Sequence, residues 1–389
     1  MTEELRKVLA SKITALEEKE NAVFATLNAY VSRGDYTSVA DTIVELKDMW
    51  QDLTTARVTK IIKAFFETIP YCEESFEAIL NLLERLITWA DSEDKKMLRL
   101  DLQCKRIYAL LKTGKYVDTI DQVGEVMREL KKYDDKVNLI TLHVYESKAL
   151  YELKNISKSR ACLTSARVLA VSAYCPSHLQ AQIDLLSGMY ICDERNYGVA
   201  SSYFIEALEG FTLGKLDAEA CVALRYLILS KIMANKCDEV AVVLRNKSTM
   251  NHLDDRTVKT LLNISIACKD RDLKTYSDVL VTNSDVIGQD AFIYAHMQYL
   301  YDALLEKNIV KIVEPYSVVR IDFIARMLCF DVDVIEKKLR KMILDKMVCG
   351  TLDHINQSLI LHEVKPLHGF AEDCARHIEA LNLIASTKY

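Results

Sequence analysis

Thr113-Gly114-Lys115-Tyr116-Val117-Asp118-Thr119-Ile120-Asp121-Gln122-Val123-Gly124-Glu125-Val126-Met127-Arg128-Glu129-Leu130 contains the pattern that decides the fold. A turn-forming Thr-Gly-Lys leads into an aromatic residue. From there Tyr116, Ile120, Val123, Met127 and Leu130 recur at helical spacing, which places them on one stripe. The same arrangement returns along the chain. Aromatic or apolar residues open comparable segments at Tyr36, Phe76, Tyr116, Ile156, Tyr197 and Cys237, at intervals of 40, 40, 40, 41 and 40 residues. Four of these marks follow turn-like contexts: Arg33-Gly34-Asp35, Thr113-Gly114-Lys115, Lys154-Asn155 and Glu194-Arg195-Asn196. Gly and Asn there suit the left-handed conformation that ends a helix. A second apolar helix precedes each mark, as in Leu98–Leu111, Leu139–Leu153 and Leu179–Cys192.

One repeat is therefore a helix pair of about forty residues, a unit that buries its apolar face only by stacking on neighbours. The expected architecture over residues 1–250 is a right-handed α-solenoid of tetratricopeptide-like pairs. Its period is longer than the standard repeat, and the usual Trp-Leu-Gly signature is missing. Composition agrees with a mainly α fold. Only 10 Gly and 4 Pro occur in 389 residues, and no Pro lies between Ser177 and Glu314.

After Cys237 the period fades. Helices are expected at Asp255–Cys268, Leu273–Val281 and Ala291–Lys307, the last with an aromatic face suited to a core. From Asn308 the texture changes. Ile309–Val313 is β-branched and reads as a strand. Ser317–Leu328 and Val332–Lys346 read as helices, and Met347–Leu352 and Ser358–His362 as a hairpin. Strand, helix, helix and hairpin together describe a winged helix. The domains expected are thus a solenoid at 1–250, a helical and winged-helix domain at 251–363 (winged helix from 308), and a tail at 364–389. In the tail Phe370, Cys374, Ile378, Leu381 and Ile384 form the apolar stripe of an amphipathic helix.

Chemistry is sparse. No phosphate-binding loop, nucleophile elbow or zinc-protease motif occurs; Gly210-Phe-Thr-Leu-Gly214-Lys215 is one residue too short for a phosphate loop. Cys374 and His377 share a helical turn, but two ligands do not make a metal site. The 11 cysteines form no C-x-x-C pair, and Cys104, Cys162, Cys221 and Cys268 sit among apolar residues, as reduced buried thiols do. Asp134-Asp135 and Asp254-Asp255 read as helix caps. The net charge of −6 gives no footprint for nucleic acid, although Lys337, Lys338, Arg340, Lys341 and Lys346 make the second winged-helix helix basic. The longest relevant uncharged stretch, Val168–Ile183, is too short and polar to span a bilayer, and the first residues lack a signal-peptide apolar region. Neither an enzyme, a cofactor nor a metal is expected.

Two blocks of residues carry a resemblance. One comprises Arg128–Lys136, Glu146-Ser-Lys148, Leu163–Arg167, Tyr174-Cys-Pro176 and Tyr203–Gly210. The other comprises Leu300–Glu306, Val313–Ser317, Lys341–Lys346 and Gly350–Asp353. Over residues 95–360 the chain resembles PCI-domain non-ATPase lid subunits of the 26S proteasome regulatory particle. The first ninety residues keep the repeat period but match poorly, and the tail looks short. The resemblance implies a cytoplasmic and nuclear scaffold inside a large hetero-oligomer. Its expected partners are other lid PCI subunits, ATPase-ring subunits and, through the N-terminal arm, an α-ring subunit of the core particle. Two interfaces are expected. One is the tail stripe; the other is the hairpin edge carrying Val348, Gly350, Leu352, Leu359 and Leu361, which suits strand addition. A COP9 signalosome subunit, a translation-initiation PCI subunit and a nucleic-acid-binding winged helix are the alternatives.

Overall fold

A computed structural model describes residues 16–45, 55–69, 75–250, 252–270, 273–288, 290–328, 330–362 and 374–380. The chain divides into two compact units. The first runs to Ala234 and takes in Val243–Leu253; the second takes in Asn235–Val242 and continues from Asp254.

The first unit is a series of helices: α1 (Leu16–Ser32), α2 (Tyr36–Glu45), α3 (Thr55–Thr68), α4 (Phe76–Ser92), α5 (Lys96–Lys112), α6 (Tyr116–Tyr133), α7 (Lys136–Glu152), α8 (Ile156–Ser172), α9 (Ser177–Asp193), α10 (Tyr197–Leu213) and α11 (Asp217–Met233). In chain order there follow α12 (Cys237–Val243), which but for Val243 belongs to the second unit, and the short α13 (Lys247–Met250) of the first. All six sequence marks are the first residue of a helix.

The turns obey one rule. The residue two places before the next helix is left-handed at Gly34 (φ +74°), Gly114 (φ +76°), Lys154 (φ +61°), Arg195 (φ +65°) and Asn235 (φ +61°). Before α5, α7 and α11 the same place is held by Asp94, Asp134 and Lys215. At Gly114 the amide donates to Leu111 O and the Lys115 amide to Leu110 O, the paired bonds of a Schellman end. Asn155 and Asn196 are not the left-handed residues that the sequence suggests: Lys154 and Arg195 are, and each Asn is the N-cap of the following helix. The single 41-residue interval has a cause. The link from α8 to α9, Ala173–Pro176, has four residues and is extended at Ala173.

The stacking is close. A Cβ on Gly188 of α9 would lie 2.6 Å from the Phe204 ring of α10, and one on Gly210 would lie 2.8 Å from Ala181 Cβ. Between α7, α8 and α9 a buried polar knot sits beside the apolar core that joins them. Ser159 Oγ donates to Tyr190 OH at 2.6 Å, and Ser147 Oγ lies 2.7 Å from the same hydroxyl.

The second unit contains α14 (Arg256–Asp270), α15 (Leu273–Thr282), α16 (Ser284–Ile287) and the 23-residue α17 (Ala291–Val313). Then follow β1 (Val318–Arg320), α18 (Ile321–Leu328), α19 (Val332–Leu344), β2 (Gly350–Asp353) and β3 (Ser358–Leu361). A winged helix is present, but its first strand is not Ile309–Val313. That run is the last part of α17, where Leu305, Ile309 and Val313 are spaced by four and face the winged-helix core. The strand is instead Val318–Arg320, at the start of the stretch read as helix.

Candidate protein-interaction site

The winged helix is built around one small core. Val319 of β1, Ile324 of α18, Ile335, Leu339 and Met342 of α19, Val348 and Leu359 are all buried in it, together with Leu305, Ile309 and Val313 of α17. The long helix is thus part of the winged helix and carries it. An ion cluster fastens the joint from outside. Lys338 Nζ lies 2.9 Å from Glu306 Oε1 and 3.3 Å from Asp302 Oδ1. Burial alone would depress the Lys338 ammonium, but the hydrogen bond and charge of Glu306, with Asp302 behind it, outweigh burial and raise its pKa.

This joint changes the reading of the basic helix. Lys338 points inward to α17, and Arg340 pairs with Glu336 at 2.5 Å. His354 Nδ1 also lies 3.2 Å from Glu336. Two of the five basic side chains are therefore committed within the protein, which weakens the face as a phosphate reader.

The sheet has the order β1-β3-β2, with both pairs antiparallel. β3 is the central strand, so Leu359 and Leu361 do not lie on an edge, contrary to the sequence expectation. Leu359 faces the core against Val319, and Leu361 packs partly against the same core. Val348 is buried in that core, and Leu352 flanks it. The open edge of the hairpin is β2. Thr351 and Asp353 lie opposite Ile360 and Ser358, and the His362 amide donates to Cys349 O. By antiparallel alternation the backbone groups of Gly350 and Leu352 then turn outward. Gly350 is needed for another reason: a Cβ there would lie 2.6 Å from Ile360 O. A turn closes the wing. Asp353 accepts from the Ile355 amide at 2.9 Å and Asn356 Nδ2 at 2.8 Å, and these bonds, the Asn356 side chain first, hold its carboxyl below the usual range.

The sequence missed the opposite edge. β1 has no strand on its outer side among the described residues, and Tyr316, Val318, Phe323 and Met327 are exposed around it. The Tyr316 and Phe323 rings meet edge to face at 6.0 Å. Placing Val318–Arg320 inside a helix hid this edge.

In the tail, residues 374–380 are helical, and Cys374 and Ile378 are exposed. Phe370, Leu381 and Ile384 lie outside the described residues. Among the described residues no cluster of three or more His, Cys, Asp or Glu is arranged to hold a metal ion, and no helix is long and apolar enough to cross a membrane.

Stacked helix pairs ending in a winged helix carried on a long helix define a PCI-domain subunit. The PCI domain family matches residues 273–363, and the family described as the 26S proteasome regulatory subunit RPN6 N-terminal domain matches residues 2–113. The chain is 31% identical to the 26S proteasome non-ATPase regulatory subunit 11 of Dictyostelium discoideum, over 93% of this chain and 87% of that one. It is 32% identical to the 26S proteasome regulatory subunit RPN6 of Saccharomyces cerevisiae, over 89% and 80% respectively. It is also 32% identical to the probable regulatory subunit rpn6 of Schizosaccharomyces pombe, over 93% and 86%. The chain belongs to the RPN6 family of 26S proteasome regulatory subunits. These relatives favour the proteasome over the signalosome, initiation-complex and nucleic-acid readings. They also correct the expectation for the first ninety residues, which fall inside the RPN6 N-terminal match. There Val23, Leu27, Val39 and Ile43 are buried in one apolar core.

Proposed function

We propose that the chain is a non-catalytic scaffold of the proteasome lid, acting in cytoplasm and nucleus. It holds lid and ATPase ring on the core particle for ubiquitin-dependent degradation. The observation that supports this most is that likeness to RPN6 subunits extends through both the N-terminal helices and the PCI domain, with about nine-tenths of the chain covered. The solenoid offers an extended surface, and its N-terminal part is the arm proposed to meet an α-ring subunit. The outward backbone groups of β2 suit strand addition by a neighbouring PCI subunit. The tail stripe of Phe370, Cys374, Ile378, Leu381 and Ile384 joins helices of other lid subunits, each large apolar side chain contributing about 1.5–3 kcal/mol when fully covered.

Native affinity purification from the chain's own cells, with subunits identified by mass, tests the reading. Lid, ATPase-ring and core α-subunits should be recovered together. A lid-like set without ATPases, or a lone chain, would sink it. Ile378→Asp alters an exposed side chain and should leave the fold intact while reducing recovery of lid subunits. Undiminished recovery would remove the tail from the interface.

A further inference from the structure

Repeat-equivalent residues line a cavity on the first unit. It encloses about 250 Å³ between α3, α5, α7 and α9. Leu98, Asn138 and His178 contribute to it at forty-residue intervals, as do Asp101 with Thr141 and Lys105 with Tyr145. Successive helix pairs therefore present the same face to one groove, which an extended ligand can follow.

The polar groups there are only partly satisfied. Asp101 is neutralised: Lys63 Nζ lies 2.7 Å from it, and Asn138 Nδ2 donates to it at 2.8 Å. Lys105 and His178 make no ion pair among the described residues. Gln182 Oε1 is buried without a donor. Beyond the cavity, further along α5 and α7, the Tyr108 ring lies 5.5 Å from that of Tyr145, and Lys112 Nζ lies 5.8 Å from the Tyr108 ring centre. Lys148 lies one turn beyond Tyr145. Burial first, and then the neighbouring Lys112, lower its ammonium pKa to about 8, with Glu219 the opposing acid. An anion placed here would relieve two crowded cations.

We propose that this groove binds an extended acidic peptide segment of a partner protein. Lys105 and Lys112 are seven residues apart, about 10 Å along a helix. A peptide in the polyproline II conformation advances about 3.1 Å per residue and returns to the same face every third residue, so the carboxylates that meet them lie three residues apart. Backbone N–H groups of the peptide supply the donor that Gln182 lacks. Asp101 and Asp135 near Cys104, and Glu219 near Lys148, offset part of the positive charge, so the attraction for carboxylates comes from Lys105 and Lys112, which make no ion pair among the described residues.

The test uses the full chain and fluorescein-labelled peptides with an Asp-Ala-Ala-Asp centre, read by fluorescence polarisation. The Asp peptide should bind saturably, and its Asn-Ala-Ala-Asn counterpart should bind about tenfold more weakly. Lys105→Gln with Lys112→Gln should cost about tenfold, while Lys112→Arg should retain binding. Circular dichroism checks that each variant keeps its helices. The proposal is overturned if the Asp and Asn peptides bind equally. It is equally overturned if a folded double variant binds like the parent, if the Asp peptide does not saturate, or if single-stranded RNA binds in preference.

Discussion

Lys338→Met separates the winged helix from the helix that carries it. The Lys338 side chain is 11% exposed, Glu306 17% and Asp302 56%. At 2.9 Å and an effective dielectric of about 20, the Lys338–Glu306 attraction is about 6 kcal/mol before desolvation. Removing both charges from water takes back most of that, and deleting one partner leaves the other poorly solvated, a net loss of about 2 kcal/mol here because neither group is fully sealed. The exposed Asp302 arm adds about 0.5 kcal/mol. The sum of about 2–3 kcal/mol is an increase of about a hundredfold in local opening. Hydrogen exchange of the full chain, followed by mass on peptides from α19 and the end of α17, reads that change directly. Replacing both partners, Lys338→Met with Glu306→Leu, should recover most of the protection, since a buried pair exchanged for apolar groups is often neutral. The pH dependence has a definite sign. The folded pKa of Lys338 lies above its ordinary 10.5, so its contribution is complete below 10.5 and is lost as pH rises through the folded value. The Lys338→Met deficit should therefore be the same at about pH 7 and pH 9. Unchanged exchange in α19, or a double variant as damaged as the sum of its parts, would refute the reasoning.

Gly350→Ala should destabilise the winged helix by about 1–3 kcal/mol, because the new methyl meets the Ile360 carbonyl of the central strand at 2.6 Å and the backbone must move; faster exchange confined to β2 and β3 is the expected result, and unaltered exchange would show that the sheet yields freely. Thiol alkylation at mildly alkaline pH should label exposed Cys349 and Cys374 first. Burial pushes the Cys104, Cys192 and Cys268 thiols up to about 12, so they should react only above that pH or on unfolding. Early labelling of Cys104 would contradict its burial on the inner face of α5.

The winged helix was legible in outline and misread in one strand, for a reason within the residues themselves. Ile309-Val310-Lys311-Ile312-Val313 is rich in β-branched side chains, which locally favour a strand. The longer window reverses this, because Leu305, Ile309 and Val313 follow one another at helical spacing on from the buried Leu300 and Leu304, and all are buried. Strand order was not legible at all. Which strand of a hairpin stays open depends on where β1 docks, and Val318–Arg320 carries little signal in three residues. The cavity was half legible. The repeat period alone places Leu98, Asn138 and His178 at equivalent positions, but whether a polar residue turns toward the neighbouring helices or toward water is decided by packing.

The turns show why a glycine-based search finds some helix ends and misses others. Left-handed backbone costs most residues on the order of 1 kcal/mol, and glycine avoids the cost. Yet Asp94, Asp134, Lys154, Arg195, Lys215 and Asn235 adopt it. At Asp94, Lys154, Arg195 and Lys215 the turn regains hydrogen bonds for the last carbonyls of its helix. The Lys154 amide donates to Tyr151 O and the next to Leu150 O; at Arg195 the acceptors are Cys192 O and Ile191 O, and at Lys215 they are Thr212 O and Phe211 O. Lys154, Arg195 and Lys215 also place a cation at a helix C-terminus, where the helix dipole contributes about 0.3–1 kcal/mol in its favour. The two gains offset the backbone strain, so these turns form without glycine. What must be kept is the count of residues, since a helix and its turn take twenty from Asp94 to Gly114, Asp134 and Lys154, and again from Arg195 to Lys215 and Asn235. A period read from the first residue of each helix therefore survives in turns that hold no glycine.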